Sequence, residues 1–129
     1  MIVIDSSVWI DYFSGNPSKE ADRLDALLGI EPVAIGDLIL LEVLQGFRAD
    51  SDFRRARDRL LALPVVEMLG AAAAVRGAAH YRMLRRRGVT IRRTADVVIA
   101  TACIRDGHSL LFADRDFEPF VEHLGLERA

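Results

Sequence analysis

Four carboxylates stand in surroundings that do not suit a charge. Asp5 follows the apolar run IVI, Glu42 sits inside LILLEVL, Asp96 precedes VVIATA, and Asp114 closes SLLFA. An ionised carboxylate beside buried apolar surface is costly unless it is hydrogen-bonded, paired or bound to a cation. Taken singly, Asp5 and Asp96 have an ordinary explanation as helix N-caps or partners of a helix dipole, and Asp114 and Asp116 as turn residues. Asp37 has a good capping position of its own and reads as structural. Glu42 has no such explanation, because its helix is apolar on nearly every side. Carboxylates gathered without a local cation repel one another, so either some stay protonated or a divalent ion compensates, and the ion is the better answer. All-oxygen ligation suits Mg²⁺ or Mn²⁺. Such an ion activates water and stabilises charge on phosphoryl and leaving oxygens, which is the chemistry of phosphodiester hydrolysis without a covalent enzyme intermediate. Four or five carboxylates have room for two ions about 4 Å apart. The three histidines (His80, His108, His123) lack zinc-type spacing and read as surface or structural residues, and the lone Cys103 adds no ligand.

The elements that must gather these acids follow from hydrophobic periodicity. Ile2 to Ile4 is a short buried strand, and SSVWIDYF carries helical spacing at Val8, Trp9, Tyr12 and Phe13, aromatics that by default pack inward. Pro17 opens a second helix through Leu28. Pro32 to Ile35 is a second strand, Asp37 caps the helix LILLEVLQGF, and Gly46 ends it. Residues 51–63 form an amphipathic helix stopped before Pro64, and VVEML makes a third strand. A long helix is expected from Gly70 to Arg87, ending at Gly88; another, capped by Thr94, runs to about Arg105. Ser109 to Phe112 is the last strand and Phe117 to Leu124 a short final helix. Strands alternating with helices imply a parallel sheet covered on both faces. Asp5 and Asp114 each follow a strand, and parallel strands put their carboxyl ends on one edge, where ligand sites of open α/β sheets form. Asp96 at a helix start and Glu42 one turn into its helix can point to the same edge, which makes an acidic pocket.

Composition bounds the rest. With 129 residues, 51% hydrophobic and 28% charged, the chain has the profile of one compact domain over 1–129, large enough to fold without a metal or disulfide staple. Any metal is therefore expected to be functional. Cys103 lies in VVIATACI, as a buried unpaired thiol in a reducing compartment would. MIVIDSS has no basic n-region and meets Asp5 after four residues, so it reads as neither signal peptide nor membrane span, and the expected location is cytoplasmic. The net charge of -2 hides an uneven distribution: from Met68 to Ala95 there are seven arginines (76, 82, 85, 86, 87, 92, 93) and no acid. Arginines bind phosphates bidentately and would offset an acidic pocket, so Arg86, Arg87, Arg92 and Arg93 are candidates for an RNA path. The plain alternative is a solvated helix face, and consecutive Arg85, Arg86 and Arg87 cannot share one face.

Together these residues resemble a PIN domain, specifically the VapC toxin of bacterial type II toxin–antitoxin pairs. MIVIDSSVWIDYF resembles the opening strand with its first Asp, LLEVLQGF the helix of the second acid, TADVVIATAC the third motif and SLLFADRDF the fourth, so the match spans the chain. The resemblance implies an α/β/α sandwich around a parallel sheet. It also implies a Mg²⁺- or Mn²⁺-dependent endoribonuclease with Asp5, Glu42, Asp96 and Asp114 around the metal, and Asp116 assisting. Ser7 matches the hydroxyl residue that supports the first Asp, and Ser6 holds a variable Ser/Thr position. Phe112 departs from the pattern, since many relatives carry Thr two residues before the fourth acid. Implied partners are an RNA substrate, a second copy in a homodimer, and a VapB-type antitoxin whose C-terminal segment wraps the toxin, giving a heterotetramer or larger. Helices 17–28 and 37–63 are candidate walls of that groove.

Three other functions compete. A signalling receiver domain has a similar sheet and acidic pocket, but resembling one requires a lysine after a late strand, and the only lysine here is Lys19 in an early helix. A PIN-like module that binds RNA or protein without cutting fits less well, because the motif carboxylates are all present. A PIN nuclease of RNA processing, outside toxin–antitoxin pairs, is the remaining alternative.

Overall fold

The computed structural model covers residues 1–129 and consists of five short parallel strands and seven helices. Strand β1 (Ile2–Ile4) leads into α1 (Ser6–Ser14), which stops at Gly15, whose φ of 71° is in the left-handed region that glycine tolerates. Ser18, not Pro17, starts α2 (Lys19–Leu27): its hydroxyl accepts the Ala21 amide at 2.9 Å, satisfying an otherwise unpaired helix N–H. Next come β2 (Val33–Gly36), α3 (Asp37–Leu44), α4 (Asp50–Leu61) and β3 (Val65–Val66). Helix α4 has Asp50 and Asp52 in its first turn and Arg59 in its last, the charge order that complements a helix dipole. Helices α5 (Ala71–Arg86) and α6 (Thr94–Asp106) precede β4 (Ser109–Leu111). A 3₁₀ turn (Arg115–Phe117) then runs into α7 (Glu118–Leu124) and β5 (Glu127–Arg128).

The strand order is β3-β2-β1-β4-β5. From β1 the chain builds outward to β2 and β3, then crosses back to β4 on the other side and continues to β5. Right-handed crossovers, the near-universal hand, put α1 to α4 on one face and α5 to α7 on the other, giving three layers. Helix neighbours agree: α1 packs on α2 and α3, and α5 on α6 and α7. Helix α3 also touches α6, bringing the helix of Glu42 to the helix of Asp96. The order reverses between β1 and β4, and there the chain leaves the two strands toward opposite faces, opening a crevice at the carboxyl edge.

All the strands are short, and the interior ones are almost wholly apolar. A core of 27 residues, including Val3, Ile4, Ala34, Ile35, Leu110 and Leu111 from the strands and Val97, Ile99, Ala100 and Cys103 from α6, fills both sides of the sheet. Burying each large aliphatic side chain is worth about 1.5–3 kcal/mol, which is why two- to four-residue strands suffice.

Local boundaries differ from expectation in places. VVEML contributes only Val65–Val66 to the sheet, because Met68 turns inward and its amide donates to Asp37 Oδ1 at 3.1 Å. Asp37 is the first helical residue of α3, with Gly36 as N-cap, and it ties the start of α3 to the segment after β3. Arg93, not Thr94, is the N-cap residue of α6. The fifth strand was not expected: Glu127 and Arg128 are polar and exposed, and only pairing with β4 (Ser109↔Glu127, Leu110↔Arg128) makes them a strand.

Candidate metal centre

Asp5 is the residue at which β1 becomes α1. Its amide donates to the Leu111 carbonyl at 2.9 Å, so the side chain leaves the sheet beside the end of β4. Asp5 is also the N-cap of α1, but its carboxylate accepts no capping hydrogen bond from the helix. Instead Oδ2 accepts the Ser7 hydroxyl at 2.9 Å, and Oδ1 is buried with no partner. Glu42, half-buried on α3, likewise has Oε1 buried and without a partner.

Asp96 is the third residue of α6, and its side chain is 1% exposed. Both of its oxygens are held by Arg93: Nε donates to Oδ2 at 3.2 Å and Nη2 to Oδ1 at 3.0 Å. The same Nη2 donates to Asp114 Oδ2 at 3.3 Å. Asp114 Oδ1 accepts the Asp116 amide at 2.9 Å, which caps the 3₁₀ turn and orients the carboxylate. Asp116 is held by Arg92, whose Nε donates to Oδ2 at 3.1 Å. Ligand oxygens from Asp96, Asp114 and Asp116 lie within 4.8 Å of one another, close enough to share one cation.

The carboxylates feel one another. Burial, first, pushes the Asp5 carboxyl above its ordinary value; the Ser7 hydroxyl and the Ser6 amide pull it back, Glu42 raises it further and Arg93 lowers it. Asp96 is likewise raised by burial, lowered by Arg93 and raised by Asp5 and Asp114. Both are thus held above the usual carboxylate range even with a guanidinium nearby. Removing a carboxylate oxygen from water without a partner costs several kcal/mol, and the two orphaned oxygens on Asp5 and Glu42 mark where compensation is missing. An all-oxygen, multiply anionic donor set with unsatisfied buried oxygens fits a hard divalent cation.

The other residues picked out by sequence fall in varied places. Arg86 is exposed in the last turn of α5, and Arg87 follows it with Nη1 donating to His123 Nδ1 at 2.9 Å. Arg92 and Arg93 are at the acids, paired with them. Phe112 is buried against Phe117, with ring centroids 5.3 Å apart, so this position belongs to the core. Trp9 is buried, whereas Tyr12 and Phe13 are half-buried and Arg59 stacks on both rings at 5.6 Å. His80 is structural: its Nδ1 is hydrogen-bonded with Thr101 Oγ1 at 3.1 Å, and burial, then Arg76, lower its pKa. Burial pushes the Cys103 thiol up to about 12, so it is unreactive in the folded chain. What the motif reading missed is the ion pair between Arg93 and the acids. Its signal was present as the i, i+3 spacing of Arg93 and Asp96 across a helix start.

A five-stranded parallel sheet with acids at its switch point defines a class that comparison with known proteins identifies. Residues 2–120 match the family model described as PIN domain. The chain belongs to the PIN-domain family, and its full-length relatives place it in the VapC branch. It is 31% identical over 131 residues to "Ribonuclease VapC11" of Mycobacterium tuberculosis and, equally, to "VapC ribonuclease Mb1587" of Mycobacterium bovis, covering 100% of this chain and 98% of each relative. Among solved structures, VapBC2 from Rickettsia felis, bound to a DNA fragment from its promoter, superposes with a TM-score of 0.77 at 18% identity, covering 100% of this chain and 98% of the other. No helix is long and apolar enough to cross a membrane.

Proposed function

We propose that this protein is a divalent-metal-dependent endoribonuclease and the toxin of a type II toxin–antitoxin pair, a single PIN domain acting in the cytoplasm. The observation that carries the reading is the group of acids at the ends of the central strands and the start of α6: ligand oxygens of Asp96, Asp114 and Asp116 lie within 4.8 Å of one another, and Asp5 and Glu42 each have a buried carboxylate oxygen lacking any hydrogen-bond partner. The full-length relatives named as VapC ribonucleases support RNA as substrate, and the VapBC complex of the same fold supports an antitoxin as partner.

In this reading Asp5, Glu42, Asp96 and Asp114 hold Mg²⁺ or Mn²⁺, and Asp116 assists from beside Asp114. When bound, the cation supplies Lewis acidity for an attacking water and for the charge that gathers on phosphoryl and leaving oxygens. Ser7 fixes the Asp5 carboxylate by its hydrogen bond to Oδ2 and leaves Oδ1 free to ligate. The Asp116 amide orients Asp114 through Oδ1, while Asp114 Oδ2 accepts from Arg93. The core beneath the crevice, with Ile4, Leu111 and Phe112 fully or nearly fully buried, keeps water out from below, so the acids act at low dielectric. Arg86 and Arg87 at the end of α5 offer cations along an RNA strand, together with Arg92 and Arg93 at the acids. A homodimer that binds a VapB-type antitoxin, as a heterotetramer or larger, completes the reading.

The test is cleavage of total RNA by antitoxin-free protein with Mg²⁺, Mn²⁺ or EDTA, beside Asp96→Asn. Discrete fragments that require metal and vanish in the variant are expected. Absence of cleavage by folded protein that binds Mn²⁺ would overturn the nuclease reading.

A further inference from the structure

Arg93 occupies the coordination space of the acids. Of the four carboxylate oxygens of Asp96 and Asp114, its guanidinium takes three, and the Asp116 amide takes the fourth. The same guanidinium is the cation nearest in effect to Asp5. Asp5 Oδ1 and Glu42 Oε1 are buried with no hydrogen-bond partner. A divalent ion shared by Asp96 and Asp114 competes with Arg93 for them. Nη2 already bridges Asp96 Oδ1 and Asp114 Oδ2, the place such an ion would take, and a guanidinium held beside a doubly charged ion is repelled.

The backbone allows the exchange. Arg93 is the extended N-cap residue of α6, with φ −120° and ψ 127°, so its main chain is fixed by the helix it starts. Its side chain is 51% exposed while that of Asp96 is 1% exposed. The guanidinium therefore has solvent to swing into while its carboxylate partner stays in place. A displaced Arg93 stays tethered at the rim, where an anion approaching the metal from solvent must pass.

We propose that Arg93 is a metal-gated phosphate ligand: in the metal-free protein it fills the acid pocket as an internal cation, and metal entry transfers it from Asp96 and Asp114 to the phosphodiester of the substrate. This rests on the metal-centre reading above. It predicts an antagonism with the metal and a cooperation with the phosphate, both residing in one side chain. Arg105, paired with Asp106 at the other end of α6 and away from the acids, is the internal control.

The experiment measures Mn²⁺ affinity of the full chain by isothermal titration calorimetry for wild type, Arg93→Gln and Arg105→Gln. Binding of a short single-stranded oligodeoxynucleotide is then measured by fluorescence anisotropy with and without Mn²⁺. Arg93→Gln is expected to bind Mn²⁺ about tenfold more tightly than wild type, with Arg105→Gln changing it by less than about threefold. With Mn²⁺ present, the oligonucleotide should bind Arg93→Gln about tenfold more weakly than wild type, and without Mn²⁺ the two should bind alike. Mn²⁺ binding to Arg93→Gln that is equal to or weaker than wild type would overturn the inference and make Arg93 a residue that orients Asp96. Equal loss of oligonucleotide affinity with and without metal would overturn the gating. If neither protein binds Mn²⁺ at millimolar concentration, the metal-centre reading itself falls, and the inference with it. Circular dichroism of each variant confirms that the compared proteins are folded.

Discussion

Asp5 and Asp96 are the same side chain at the same depth, each 1% exposed, and each acts on the other's charge. Asp96 has both oxygens gripped by Arg93, whereas Asp5 has one oxygen on Ser7 and the other on nothing. The difference follows from the chain around them. Asp96 is preceded by Arg92 and Arg93, so a guanidinium lies one helical turn away. Asp5 opens α1, which carries no basic residue; Arg93 acts on it only through space, and Glu42, another acid, acts against its charge. Asp96 is thus paired with a cation and Asp5 is not, although burial holds both carboxyls above the ordinary range.

The largest effect that tests this contrast is on activity. Asp5→Asn should reduce metal-dependent RNA cleavage by about 10³-fold, the scale of losing one electrostatic anchor of a hydrolytic site. In EDTA the same variant should melt at a higher temperature than wild type, because a buried charge without a partner has been removed. A lower melting temperature in EDTA would show that Asp5 is already compensated.

The apolar floor responds differently. Phe112→Ala should cost about 3–5 kcal/mol in urea denaturation, as a large buried aromatic does, while its folded fraction keeps Mn²⁺ affinity. Loss of Mn²⁺ binding by the folded variant would make Phe112 part of the site instead of its support.

The third effect depends on pH. The folded carboxyls of Asp5 and Asp96 lie above their ordinary value of 3.8, so the folded chain holds protons there that the unfolded chain has released. Their contribution to stability is complete below pH 3.8 and is lost as pH rises through the raised folded values. The melting advantage of Asp5→Asn in EDTA should therefore be absent near the low end and grow as pH rises. In saturating Mn²⁺ wild type should overtake the variant at neutral pH, because ligation requires deprotonated carboxylates. Thermal melts across that range, with and without Mn²⁺, check both trends.

The smallest effect is at the end of α5. Replacing Arg86 and Arg87 with Gln should weaken RNA binding modestly and lower the slope of log affinity against log salt by about 1.4, the share of two phosphate contacts on a single strand. An unchanged slope would make both residues part of a solvated helix face.

Much of this molecule can be read from residue order alone, and the reasons are local. Apolar runs of three or four residues bounded by polar ones make strands, and 3.6-residue spacing makes helices. Their alternation forces a parallel sheet with Asp5 and Asp114 on one edge. Glu42 stood out because no local interaction could justify an acid in LILLEVL. Other features were decided by contacts between segments distant in sequence. Glu127 and Arg128 carry no strand signal and become β5 only because β4 leaves an open edge beside them. Asp37 is a tie between α3 and Met68 as well as a residue at a helix start, because β2 and β3 are neighbours. Arg93 could be read as one arginine among seven until α6 and β4 brought Asp96 and Asp114 to the same guanidinium. Residue type and periodicity determine which elements form and which groups can react. Which charge meets which counter-charge depends on through-space distance, and only the packed chain sets that.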